Sequence, residues 1–195
     1  MRNFIHYKKQ NAEKFLAQLS GLQQKYIERS FDFEQELTSH FDEAESFFQQ
    51  LGENLNQSGI ARLQTYFVTA QRGIDPRKLE KLKTGRRENI WISAFDCLSQ
   101  LEELFASFLG KQQLKLDEGK ELIEQIILSI IQNNGPNGEL ILQLESLESI
   151  ESFWRSLMAA NEQIKLAHRR LLLNLNEQDI YLLIEATINR IRTST

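Results

Sequence analysis

Apolar residues recur at spacings of three and four along most of the chain. From residue 10 to about 52, Phe15, Leu19, Leu22 and Tyr26 are followed by Phe33, Leu37, Phe41, Ala44, Phe48 and Leu51. This is one stripe on a helical period, with Gln, Glu, Lys and Asp between its members to keep the other face wet. A single helix of that length would run about 60 Å, long for a compact domain. Ser30, as an internal N-cap, offers a break into two helices, and the alternative is one continuous projecting arm. Gly52 suits a left-handed C-terminal cap. A further helix is expected over about 59–71, with Ile60, Leu63 and Phe67 on one side and Gly73 ending it.

Asp75-Pro76 reads as a helix start, with Asp as N-cap and Pro at the first helical position. Ile74 and Leu79 stand where a hydrophobic staple would form, and this short helix should stop near Thr84-Gly85. Residues 87–109 carry Trp91, Ala94, Phe95, Leu98, Leu101, Phe105, Phe108 and Leu109 on one arc, with Ser93, Asp96, Gln100, Glu103 and Ser107 opposite and Gly110 closing the helix. Asp117 can cap the next one, which runs to about Gln132 with Leu122, Ile123, Ile126, Ile127, Ile130 and Ile131. Asn133–Gly138 (NNGPNG) is a turn.

After that turn, Leu144–Ser152 repeats an apolar-Glu-Ser unit with a period of three. Such a period drifts around an α-helix, so a kink, a tight turn or a helix restart is expected between 145 and 150. Phe153, Leu157, Ile164, Ala167, Leu171 and Leu175 then resume one face. Asn176 caps the last helix, with Asp179 three residues on. No segment alternates as strands with hairpin turns do, and no repeat of 20–50 residues is present.

The pattern therefore predicts an all-α, multi-helix bundle of six or seven helices with a long N-terminal amphipathic segment. The 195 residues suit one all-helical domain: an N-terminal arm or hairpin over 10–71, a basic connector with a short helix over 72–87, and a helical core over 88–195. A composition of 41% hydrophobic and 26% charged residues with only two prolines matches a chain that packs. Cys97 is the only cysteine, which excludes a disulfide within the chain and any Cys-based zinc cage. Its apolar neighbours Ala94, Leu98 and Leu101 mark it as a packed, inert thiol, and a reducing compartment follows. The N-terminus lacks the apolar core of a signal peptide, and no window approaches the roughly 20 apolar residues of a membrane span. The expectation is a cytoplasmic protein with no membrane association.

Little in the sequence points to catalysis. The phosphate-binding glycine loops, the GxSxG elbow and the kinase signatures are absent. None of His6, His40 and His168 has a Glu three residues before it, so the Glu-x-x-His pairs of diiron bundles are missing. Asp32, Glu36, His40 and Glu43 share one helix face and are the nearest approach to a divalent-ion site, but read best as solvated surface. His168 reads as a hydrogen-bonded boundary histidine. No cofactor, metal or catalytic residue is expected.

What remains is charge. Residues 72–87 hold seven basic side chains, Arg72, Arg77, Lys78, Lys81, Lys83, Arg86 and Arg87, against Asp75 and Glu80, a local +5 in a chain of net charge −4. Such a cluster can bind a phosphate backbone or an acidic protein surface. It can also rest on the protein's own acids: residues 28–53 and 117–151 each carry eight acids against one base. Among these basics, Arg86 and Arg87 are expected to face outward most. The run Leu171–Leu173 with Leu175, and Tyr181 with Leu182, exceed what one helix face buries, and either cap a second helical layer or meet a partner. The expected function is a non-enzymatic interaction or adaptor subunit of a cytoplasmic assembly, with a protein partner or a homo-oligomer. The first alternative is a nucleic-acid-associated accessory protein using the basic stretch, and the second is a bundle enzyme or metal-binding protein without a recognisable motif.

Overall fold

The computed structural model of the chain describes residues 4–81, 85–132, 140–141 and 143–194. Among them are seven helices and one two-residue β-ribbon, so the protein is an all-α multi-helix bundle as its periodicity predicts. The helices are α1 (Ile5–Glu28), α2 (Phe33–Leu51), α3 (Asn54–Gln71), α4 (Arg86–Gln132), α5 (Leu147–Ala160), α6 (Glu162–Leu171) and α7 (Glu177–Ser194). The ribbon pairs β1 (Ile74–Asp75) with β2 (Glu80–Lys81). The chain divides into two compact units, one spanning Gln10–Leu109 and the other combining the described residues before Gln10 with those after Leu109. Helices α1 and α4 contribute residues to both.

The first unit has a phenylalanine-rich core. The long stripe expected over residues 10–52 is two helices, α1 and α2. The break falls at Arg29, which adopts φ +53, the left-handed position usually given to glycine. Its N–H bonds to the Tyr26 carbonyl, and the Ser30 N–H bonds to Lys25, which closes a Schellman-type end. Gly52, at φ +72, ends α2 in the same way, with the Glu53 N–H on the Phe48 carbonyl. Both stripe halves are buried: Phe15 and Leu19 from α1 meet Phe33, Leu37, Phe41 and Phe48 from α2. Phe105 of α4 stacks on Phe15 at 5.0 Å and on Phe48 at 5.3 Å, and Trp91 stacks on Phe33 at 5.1 Å. Offset aromatic contacts of this kind add about 0.5–1.5 kcal/mol each beyond burial.

Helix α4 differs from expectation. It runs unbroken through Gly110 and Asp117, where a stop and a restart were expected. A glycine ends a helix by taking positive φ, and neither Gly110 nor Gly119 does so. A helical glycine costs only about 1 kcal/mol against alanine, which packing overrides. Asp117 accepts a hydrogen bond from Gln113 one turn earlier, a surface pair and not a cap. The buried arc is also rotated from the expected one. Ser93 is buried in line with Ala94, Cys97 and Leu101, while Phe95 stays largely exposed at the edge beside Tyr26.

The second unit packs α5, α6 and α7 with the C-terminal part of α4. Ser146 caps α5: its hydroxyl accepts the Ser149 N–H and its own N–H bonds to Ser149 Oγ, which places the restart inside the expected window. The apolar face expected to continue to Leu175 is instead split by Asn161. Its side-chain oxygen accepts the Gln163 and Ile164 N–H groups and so starts α6. Trp154, Leu157, Ile164, Leu171, Ile180 and Ile184 form the core together with Ile123 and Ile127. Tyr181 joins this core, whereas Leu172 and Leu173 remain exposed. The NNGPNG segment lies outside the described residues.

Candidate interaction surface

The basic connector is not a short helix. Gly73 (φ +74) leaves α3, and β1 and β2 pair antiparallel with Asp75 opposite Glu80. Gly85 (φ +76) then leads into α4. Asp75 does cap, but it caps a turn. Its Oδ1 accepts the Arg77 N–H at 2.8 Å and the Lys78 N–H at 3.3 Å. The Leu79 N–H closes the loop on the Asp75 carbonyl at 2.7 Å. Asp followed by Pro serves helix starts and tight turns equally well. Here Leu79, at φ +59, turns the chain back where a helix would have continued.

Arg77 and Asn89 tie this hairpin to the helices beneath it, and Arg86 joins the two helix ends at its base. The Arg77 guanidinium donates to Asp96 Oδ2 at 2.5 Å and to the Tyr66 hydroxyl at 3.2 Å, and that hydroxyl donates to the same Asp96 oxygen at 2.8 Å. Tyr66 and Asp96 together raise the Arg77 pKa further above its usual value. Arg86 donates through Nε at 2.9 Å, and through Nη2, to the carbonyl of Gln71, the last residue of α3. A cation on a terminal carbonyl complements the negative end of the helix. Asn89 reaches the Ile74 carbonyl at 3.4 Å.

Six of the seven predicted basic residues can therefore be placed. Arg77 and Arg86 are anchors, although both remain exposed. Arg72, Lys78, Lys81 and Arg87 are exposed and have no ion pair among the described residues. Lys83 lies outside the described residues. The countercharge that does appear is Asp96 of α4, from neither of the two acidic stretches that balance the cluster in sequence. The signal for it was present, since Asp96 falls on the polar arc of its helix, but only the hairpin brings Arg77 to it.

A shallow cleft of about 430 Å³ lies between α3 and the hairpin, lined by Ala61, Arg62, Thr65, Tyr66, Thr69, Pro76 and Leu79. Residue spacing does not reveal it, because its two walls belong to a helix and to a turn that was expected to be helical. Leu79 is 76% exposed at its edge.

The other candidate groups are accounted for internally. Asp32 and Glu36 both bind the Lys25 ammonium. Lys25 and the Ser30 hydroxyl hold the Asp32 carboxyl down at about 2. No group of three or more His, Cys, Asp or Glu side chains among the described residues is arranged to hold a metal ion. His40 is buried against Phe15 and Phe105, and burial lowers its pKa to about 4. The Nε2 of His40 has no hydrogen-bond partner among the described residues. His168 accepts the Trp154 indole N–H through Nδ1 at 3.2 Å and is held in its neutral form mainly by burial. Cys97 is buried with its Sγ 3.6 Å from the Leu63 carbonyl, and burial, aided by Asp96, pushes its thiol up to about 12. No described helix is long and apolar enough to cross a membrane.

The site defines a class and no more: an all-α protein carrying an anchored cationic hairpin. No protein-family model matches the chain, and no curated protein or solved structure is significantly similar to it.

Proposed function

We propose that this protein is a helical interaction module that engages an acidic protein surface through the hairpin face, acting as an adaptor subunit in a cytoplasmic assembly. One observation carries the reading: the hairpin is pinned to α3 and α4 through Arg77, with Arg86 joining the helix ends at its base, while Arg72, Lys78, Lys81 and Arg87 keep their charges without an ion pair among the described residues. A flexible basic loop would lose conformational entropy on binding, whereas a pinned one presents its charges with part of that loss already incurred in folding. The exposed leucine at the tip favours a protein partner over a phosphate backbone, because a protein surface can bury its apolar area and charged phosphates cannot. Tyr66, the nearest aromatic, is half-buried with its hydroxyl engaged, which removes it as a base-stacking platform.

The test compares the full chain with the triple charge reversal Lys78→Glu/Lys81→Glu/Arg87→Glu in salt-graded affinity capture, with single-stranded and duplex DNA titrated in parallel. A protein partner retained at low salt by the parent and lost by the variant supports the proposal. DNA binding that weakens steeply with salt and is abolished by the same reversal transfers the hairpin to a nucleic-acid role. Equal behaviour of parent and variant in both assays refutes a functional role for the hairpin charges.

A further inference from the structure

Resting on the reading above, we infer that the cleft between α3 and the hairpin is the specificity pocket of this surface, that its occupant is an apolar side chain from an acidic segment of another protein, and that Leu79 is the contact residue at its edge. Three observations converge on this. The first is that the hydroxyl groups lining the cleft are already hydrogen-bonded. Thr65 Oγ1 donates to the Ala61 carbonyl at 2.8 Å and Thr69 Oγ1 to the Thr65 carbonyl at 2.7 Å, both within their own helix. The Tyr66 hydroxyl is held by Arg77 and Asp96. What these residues leave for a ligand is methyl and ring-edge surface, which matches an apolar group and leaves no buried donor or acceptor wanting.

The second is the sign of the rim. Helix α3 contains one charged residue, Arg62, and no carboxylate along its whole length. Arg62 is the one charged residue that lines the cleft, and in the loop Leu79 stands between Lys78 and Glu80, whose charges offset. An apolar floor with an arginine at its edge is complementary to an acidic segment carrying an apolar anchor, and it disfavours a basic one.

The third is Leu79 itself. Its φ of +59 is a conformation that side chains with a Cβ adopt reluctantly and that glycine adopts freely. It is also 76% exposed, so core packing does not explain a leucine there. A residue that is unfavourable for the loop and poorly buried in the fold is accounted for by a contact outside it.

The test uses a fluorescein-labelled 18-residue amphipathic peptide with Leu at i, i+3, i+4 and i+7 and Glu elsewhere, titrated by anisotropy into the full chain at graded salt. A Lys-for-Glu version and an all-Glu peptide without leucine serve as controls. Saturable binding of the Leu/Glu peptide only is expected, weakened about tenfold by Leu79→Gly and by Thr65→Arg, which fills the cleft. Leu79→Gly should at the same time keep or raise the melting temperature, because glycine relieves the positive φ. If that variant melts lower, Leu79 serves the fold and the inference fails, and it fails equally if Leu79→Gly and Thr65→Arg bind the peptide as the parent does. Should Arg62→Glu and Lys78→Glu weaken binding in that last case, the cationic hairpin surface stands and the pocket alone falls. Preference for the Lys-for-Glu peptide, or no binding of any peptide, overturns the pocket's assigned chemistry.

Discussion

Asp179 on α7 holds the first turn of α1 from more than 170 residues away: its Oδ1 lies 2.6 Å from Nδ1 of His6. The same carboxylate accepts the backbone N–H groups of Ile5 at 2.9 Å and His6 at 3.1 Å, and the Asn176 N–H at 3.4 Å. Asn176 returns a bond to the Asp179 N–H at 2.7 Å. One fully buried acid thus completes the capping box of its own helix and satisfies two of the orphan donors at the start of another. The buried carboxyl group is accommodated because backbone N–H groups donate to it and the positive end of α1 faces it.

Replacing Asp179 with Ala should therefore lower stability by about 3 kcal/mol, since it strands buried donors as well as removing a charge. His6→Ala leaves the backbone donors in place and should cost about 1 kcal/mol. Urea denaturation of the two variants separates the roles: equal losses would mean the His6 side chain, and not the helix cap, is what Asp179 is there to hold.

Two glycines in the same helix should respond with opposite sign. A Cβ at Gly110 meets nothing within 4 Å, so Gly110→Ala should stabilise by about 0.5–1 kcal/mol through helix propensity and reduced unfolded-state freedom. Gly21→Ala in α1 has equal room and the same expectation. At Gly119 the Cβ would lie 2.5 Å from Leu175 Cδ1 and 3.3 Å from Leu183 Cδ1, both in buried core leucines. Gly119→Ala should destabilise by about 1–3 kcal/mol in spite of its better propensity. Melting temperatures of the three variants read the signs directly.

His40 makes stability fall toward acid. Burial lowers its pKa from 6.5 to about 4, so the unfolded chain takes up a proton at a pH where the folded chain does not. Its contribution is whole above pH 6.5, declines as the pH falls through that value, and levels off below about 4. The total is on the order of 3 kcal/mol. His40→Leu should remove this component, so that the stability difference between variant and parent grows steadily in the variant's favour from pH 7 to pH 4.5. A difference that stays constant over that range in paired urea titrations contradicts the assignment.

Cys97 should be silent in the native state. With its thiol pushed up to about 12 and its side chain buried, the thiolate that thiol reagents attack is scarcely populated at neutral pH. Ellman's reagent should report no fast-reacting thiol in buffer and one equivalent in denaturant. Prompt native labelling would show that the α3–α4 packing around Leu63 opens readily.

Periodicity alone carried the helical class of the protein and most of its core. Phe15, Leu19, Phe33, Leu37, Phe41, Ile123 and Ile127 are all buried where their spacing places them, because a helix must hide its apolar stripe wherever it docks. Caps set by local residues were equally legible: the left-handed glycine Gly52, Ser146 within its expected window, and Asn176 with Asp179. The expectation failed at points where two local answers are nearly equal in free energy. Asp75-Pro76 starts a helix or a turn with the same hydrogen bonds, and the docking of Arg77 on Asp96 and Arg86 on Gln71 accompanies the turn. Gly110 ends a helix or passes through one, for a difference of about 1 kcal/mol that packing on either side exceeds. The second role of Asp179, the cleft against α3 and the true countercharge of the hairpin depend on residues far apart in the chain, and spacing along a sequence contains no information about which distant surfaces will meet.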